Sequence, residues 1–159
     1  MTEVLHLALE YRALTLVLIG LALAVMALLT SDRAPHELRM AQAVLRWYLL
    51  CSIGAGFSWV SARYLLVQGA ANPLHFQLGL AALGFALAGI ASAWGGLGMR
   101  LAALIGPTVW IVGGLLGKSM GFPSTFDPGD LLVPLVGFAL VAWQFRAQRH
   151  RSVFARSRL

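Results

Sequence analysis

The sequence has few charged residues, and long stretches of it have none. Only 11% of its 159 residues are Asp, Glu, Lys or Arg, whereas about a quarter of the residues in a soluble domain are charged. The uncharged runs cover residues 13–31, 47–62, 64–99, 101–117 and 131–145. Uncharged apolar runs near or above ~18 residues are typical of transmembrane helices. The sequence therefore predicts an all-α integral membrane protein and excludes a soluble domain.

Cysteine is nearly absent, and motifs that carry chemistry are missing. Cys51 is the single cysteine, so we predict neither an internal disulfide nor a cysteine metal site. The four histidines are scattered at positions 6, 36, 75 and 150, which does not indicate metal or haem binding. The sequence contains no glycine-rich phosphate loop, nucleophile elbow or CxxC pair. We therefore predict no cofactor, no metal, no enzymatic activity and no nucleic-acid binding.

Five apolar segments lie between the charged and turn-forming residues. Asn72-Pro73 divides the longest uncharged run, because Pro disfavours helical structure in the residue before it. Residues 95–98 (GGLG) indicate a tight turn. We interpret residues 1–159 as one transmembrane helical bundle, with spans at about 5–29, 45–66, 73–94, 100–117 and 128–145 and a basic tail at 146–159.

The fifth span is the weakest of the five. Its uncharged core, 131–145, would be about 22 Å long at 1.5 Å per residue, which is short for a hydrocarbon core of about 30 Å. Asp127 followed by Pro128 is nevertheless a strong helix start, and the helix could continue into the basic tail. Four spans plus an interfacial or re-entrant segment is the alternative.

The basic residues predict an orientation. With five spans and the tail inside, nine arginines lie in cytoplasmic segments, whereas Arg12, Arg63 and Lys118 lie outside. The positive-inside rule therefore predicts that the N-terminus lies outside and the C-terminus lies in the cytoplasm. In this arrangement the basic tail contacts anionic lipid headgroups.

Polar residues at the outer ends of the spans are the candidates for a ligand or ion site, because ionisable groups are costly in a membrane. They are Arg63, His75, Gln77, Lys118, Asp127 and Asp130, and we call them the outer polar set. The topology brings them to one depth but does not determine how close they lie laterally. Membrane enzyme chemistry would need His75 to act with Asp127 or Asp130.

Small residues predict where the helices pack, because in lipid they allow backbones to approach closely. They form stripes on three spans, at Gly54 and Ser58, at Ala86 and Gly89, and at Gly113 and Gly117. We expect these stripes to pack within the chain. Association with a second copy or with another membrane protein through one of them is the alternative.

Parts of the chain resemble a known family. Residues 76–85 (FQLGLAALGF), residues 113–118 (GGLLGK), and Asp130 with Pro134 look like an uncharacterised family of small bacterial inner-membrane proteins, known as a domain of unknown function. The similarity covers roughly residues 47–145. It implies a multi-span membrane protein and no defined activity.

These observations support one main hypothesis and one alternative for function. The main hypothesis is a small polytopic inner-membrane protein that acts by binding or as an accessory subunit of a membrane complex. The alternative is a small transporter or channel whose outer vestibule is formed by the outer polar set, because glycine and proline interrupt the later spans. The absence of a visible internal repeat counts against transport.

The predicted orientation can be tested with reporter fusions. A reporter that is active only in the cytoplasm should give signal when fused after Leu159 and none when fused after Asn72, since three spans separate these points. A silent tail fusion together with an active Asn72 fusion would invert the orientation. Signal at both points would mean that one of the last three spans does not cross.

Overall fold

The computed structural model describes residues 12–29, 37–68, 72–121 and 126–156. This part of the chain is helical and contains no strand. Its helices are α1 (Arg12–Leu29), α2 (residues 37–68), α3 (Pro73–Ser92), α4 (Leu97–Ser119) and α5 (Leu132–Arg156), the last preceded by a 3-10 turn at Pro128–Leu131. The predicted all-α bundle of five helices is confirmed.

Within the described residues, four helices are long and apolar enough to cross a membrane. They cover Glu37–Val67, Pro73–Ser92, Leu97–Ser119 and Pro128–Arg149, whereas the apolar helix Leu14–Leu29 is shorter. The start of the predicted first span, residues 5–11, lies outside the described residues. The fifth span lies in one of these four helices, and that helix continues through the basic residues to Arg156.

The start of α2 differs from the prediction. The helix begins at Glu37 rather than near Leu45, so the described residues before the predicted second span are helical. Leu38, Ala41 and Leu45 are buried and lie on one face at helical spacing. This segment is amphipathic rather than uniformly apolar, so its sequence does not form an uncharged run. It packs against α5.

The ends of α3 and α4 follow from local chemistry. The Asn72 side chain caps α3 by accepting a hydrogen bond from the Leu74 N–H at 2.9 Å, and Pro73 occupies the first turn, where its missing N–H costs nothing. The α3–α4 turn is short, so α4 begins at Leu97 rather than at Arg100. Arg100 therefore lies inside the first turns of α4.

Helix α2 contains two π-helical segments, Leu49–Ala55 and Arg63–Gln68, on either side of the α-helical segment Gly56–Ala62. A π turn takes more residues than an α turn, so each segment changes which side chains face the neighbouring helices. The first segment includes Ile53 and Gly54, which face α3. No residue pattern in the sequence predicted these segments.

The contact between α2 and α3 is the closest helix packing at the small-residue stripes. A Cβ atom added at Gly89 would lie 2.6 Å from Ile53 Cγ2 and 3.1 Å from the Gly54 backbone nitrogen. Ala86 is fully buried on the same face of α3, and Ser58 is half-buried. The backbones of α2 and α3 can approach this closely only because Gly54 and Gly89 have no side chain.

The stripe on α4 does not pack in this way. Gly113 is exposed, and a Cβ atom added there would have no neighbour within 4 Å. Gly117 is half-buried. The expected packing of Gly113 within the chain is therefore not found, because α3 and α5 contact other faces of α4.

A buried tyrosine connects α2 to α5. Tyr48 is fully buried, and its hydroxyl donates a hydrogen bond to the Val133 carbonyl. A Cβ atom added at Gly137 would lie 3.2 Å from Tyr48 Cε1, so the glycine leaves room for the ring. Leu45, Leu49 and Leu104, which belong to the same hydrophobic cluster, are fully buried too.

The close approach of α2 and α3 gives a testable prediction. Gly89→Ala should lower the free energy of unfolding by about 1–3 kcal/mol, because its methyl group would overlap Ile53. Gly113→Ala is the matched control, since Gly113 is also a helical glycine and a Cβ atom there has no neighbour within 4 Å. Unfolding in mixed detergent micelles measures both, and equal stability of the two variants would contradict the packing.

Candidate functional site

Lys118 and Asp127, two members of the outer polar set, form an ion pair. Lys118 Nζ lies 3.1 Å from Asp127 Oδ1 and 3.4 Å from the Phe126 carbonyl oxygen. Both charged side chains are exposed, so the pair contributes at most about 1 kcal/mol. Their charges neutralise each other, and neither one is an isolated charge available to attract a substrate ion.

The two aspartates at the start of the fifth span cap that segment. The Asp127 side chain accepts a hydrogen bond from the backbone N–H of Asp130, and Asp130 Oδ2 accepts one from the Asp127 N–H at 3.0 Å. This reciprocal arrangement is a capping box. Both carboxylates thus have a local structural role, and the Asp127-Pro128 pattern predicted that of Asp127.

The other members of the outer polar set lie apart from this group. The rings of His75 and Tyr64 lie 5.7 Å apart between centroids, whereas Arg63 and Gln77 are exposed. Among the described residues, no hydrogen bond, ion pair or ring contact joins His75, Arg63 or Gln77 to Lys118 or either aspartate. The outer polar set is therefore divided into two groups, and His75 does not pair with an aspartate.

A second polar cluster lies at the opposite end of the bundle, and sequence analysis did not identify it. Arg100 is buried, with 7% of its surface exposed. Its Nη1 donates to Gln144 Oε1 at 2.9 Å, and its Nη2 donates to the Ala93 carbonyl at 3.0 Å. The Ala93 carbonyl belongs to the end of α3, where carbonyl groups lack partners within the helix. One guanidinium thus joins α3, α4 and α5.

A second guanidinium lies at the same end of the bundle. Arg46 Cζ is 4.8 Å from the centroid of the Trp94 ring, a distance at which a cation and an aromatic face attract each other. Trp94 directly follows Ala93, whose carbonyl accepts the hydrogen bond from Arg100. We call Arg46, Trp94, Arg100 and Gln144 the basic cluster.

The positive charges of this cluster have no carboxylate partner within the described part of the chain. The described carboxylates are Glu37, Asp127 and Asp130, and none of them forms an ion pair with Arg46 or Arg100. Arg100 Nε is buried and has no hydrogen-bond partner among the described residues. A buried charge is normally paired, so the basic cluster has the electrostatic character of an anion site.

Two signals in the sequence could have indicated this cluster. Arg100 ends the longest uncharged run, residues 64–99, and it was interpreted only as a topology signal. Gln144 is a polar residue inside the last apolar run, at a position that faces the bundle. The pattern of ionisable residues does not indicate Gln144, because its side chain is neutral.

Comparison with known proteins places the chain in a family without assigning an activity. A family model described as "Family of unknown function (DUF6790)" matches residues 11–150. No curated protein matches the chain, and no solved structure does.

The absence of a counter-charge for Arg100 can be tested at Gln144. Gln144→Leu should lower the free energy of unfolding by about 1.5–3 kcal/mol, the usual contribution of a hydrogen bond to a charged group. Gln144→Glu, which has nearly the same shape, should instead raise it, because a carboxylate beside Arg100 forms a charge-assisted hydrogen bond. Chemical unfolding in detergent measures both variants. Equal destabilisation by Leu and Glu would show that Arg100 already has a counter-charge.

Proposed function

The chain belongs to DUF6790, a family of unknown function, and from its geometry we propose a role in association rather than in catalysis. In this proposal it is a small polytopic protein of the bacterial inner membrane. It acts by packing its α3 helix against a transmembrane helix of another chain, as a subunit of a membrane complex.

The observation that supports this proposal is a second face of small residues on α3, opposite the buried one. It consists of Ala81, Gly84, Ala88 and Ala91, which are all exposed and spaced three or four residues apart. A Cβ atom added at Gly84 would meet no other atom within 4 Å. Helices in lipid gain little from burying apolar surface, and such a face favours close packing with another helix.

The partner that this face fits most simply is the same face of a second copy. A pair of identical helices related by a two-fold axis presents identical surfaces to each other, and small residues at spacings of three and four residues permit backbone contact along such a pair. The face carries no charged residue, so like charges would not oppose the pairing.

The transport alternative has weaker support in the described residues. A vestibule needs polar groups that converge and remain available to a substrate. Lys118 and Asp127 pair with each other at 3.1 Å, and Asp130 caps the start of the fifth span. The remaining polar groups do not contact this pair. The described polar groups therefore favour association over transport.

Association through α3 can be tested with two glycine variants. Gly84→Leu should weaken self-association in bilayers about tenfold or more. The bulky side chain keeps the two helices apart, which reduces the free energy of association by about 1–3 kcal/mol. Gly113→Leu is the matched control, since Gly113 is also an exposed helical glycine with open space. Fluorescence energy transfer between labelled copies at varied lipid dilution gives the dissociation constant.

The two variants separate the possible outcomes. Loss of association in Gly84→Leu alone supports the α3 face. Loss in Gly113→Leu alone would contradict it and assign the interface to α4. A wild-type chain that remains monomeric at every lipid dilution would contradict association with a second copy.

A further inference from the structure

The turn between α3 and α4 brings together two positive side chains. Arg46, on α2, lies over the ring of Trp94 with Cζ 4.8 Å from the ring centroid. Arg100, on α4, donates from Nη2 to the Ala93 carbonyl at 3.0 Å. Ala93 and Trp94 both belong to the turn, so both guanidinium groups lie beside it.

The start of α4 adds a third positive element at the same place. Gly96 is the N-cap of this 23-residue helix, and no side chain caps it. The first N–H groups of an α-helix have no partner within the helix, and the helix dipole gives this end a partial positive charge. Cβ atoms added at Gly96 or Gly98 would meet nothing within 4 Å, whereas one added at Gly95 would lie 2.6 Å from the Met99 sulfur.

Arg100 gives independent support for a ligand with negative charge. The side chain is more than nine-tenths buried, and its Nη1 and Nη2 donate only to neutral oxygens, of Gln144 and Ala93. Its Nε has no partner in the described part of the chain. A guanidinium has five N–H donors in a planar fork that matches the oxygens of a phosphate.

We propose that this turn is a phosphate-binding site, in which Arg46, Arg100 and the amino end of α4 bind one phosphate group. Two guanidiniums and a helix N-terminus are the groups that proteins use to hold phosphate oxygens. The site is distinct from the basic tail after residue 145, and it does not depend on association through α3.

The surroundings of the turn favour the phosphate of an anionic membrane lipid over a soluble phosphate. Trp94 is 62% exposed, and exposed tryptophans lie at the headgroup level of a bilayer. Met99 and Leu101 are exposed apolar side chains next to the turn, where the lipid's acyl chains would lie. Basic pockets between transmembrane helices bind such headgroups.

The test compares two arginine variants of the full-length protein. Arg46→Gln removes one guanidinium from the site. Arg46 is exposed and forms no hydrogen bond with the described residues, so this change should preserve the fold, and elution from a sizing column checks it. Arg149→Gln is the matched control, because Arg149 also lies over an aromatic ring, that of Phe145 at 4.4 Å, and the charge change is identical.

The experiment has two arms that distinguish the source of the phosphate. In the first, protein is reconstituted into vesicles of phosphatidylcholine with or without phosphatidylglycerol, and native mass spectrometry counts the phosphatidylglycerol molecules retained per chain. In the second, inorganic phosphate is titrated into lipid-depleted protein in a neutral detergent, and calorimetry measures its affinity.

The proposal predicts one retained phosphatidylglycerol per chain whose affinity falls roughly fivefold in Arg46→Gln and stays near the wild-type value in Arg149→Gln. Binding of inorganic phosphate with the same dependence on Arg46, and without lipid retention, would support the site and identify a soluble ligand. Equal losses in both variants would overturn the proposal, because they would reflect overall charge. An absence of binding in both arms would overturn it as well.

Discussion

The hydrogen bonds of one buried guanidinium determine how one end of this bundle is assembled. Arg100 donates to the Gln144 side chain at 2.9 Å and to the Ala93 carbonyl at 3.0 Å, and thereby fixes α4 relative to α5 and to the end of α3. A polar group that is buried without partners is costly, so these contacts favour one arrangement of the three helices. The short turn between α3 and α4 makes one of these contacts possible, because it places the Ala93 carbonyl within reach of Arg100.

Close backbone packing also fixes the helices relative to one another, along their length. The α2–α3 contact depends on Gly54 and Gly89, where added Cβ atoms would lie within 3 Å of neighbouring side chains. This packing uses one face of α3 and leaves the face with Gly84 open. The two faces of α3 thus connect the fold to the proposed association. Small residues on one face pack within the chain, and those on the other face are available to another chain.

The sequence predicted those features that depend on composition along the chain. The uncharged runs indicated the helices, and the Asp127-Pro128 and Asn72-Pro73 patterns indicated two helix starts, because these signals are local. The amphipathic start of α2 at Glu37 was not predicted, since its pattern alternates between polar and apolar faces and does not form an uncharged run. The two π segments of α2 have no local signal in the sequence.

The candidate site was less predictable for the same reason. The members of the outer polar set share a predicted depth in the membrane. Depth alone does not separate the Lys118–Asp127 pair from His75 and Arg63. The partnership of Arg100 and Gln144 joins residues that are far apart in the sequence and requires knowing which helix faces meet. Only the three-dimensional packing of α4 against α5 brings these two side chains together.

The most direct test of this account is solid-state NMR of the protein in bilayers, with labelled arginine and glutamine. The account predicts a through-space correlation between Arg100 Nη1 and the Gln144 side-chain carbonyl carbon. It also predicts that the Arg100 guanidinium protons exchange with water more slowly than those of Arg146, which is exposed. If the correlation is missing and Arg100 exchanges as fast as Arg146, the guanidinium does not join these helices and the account is wrong.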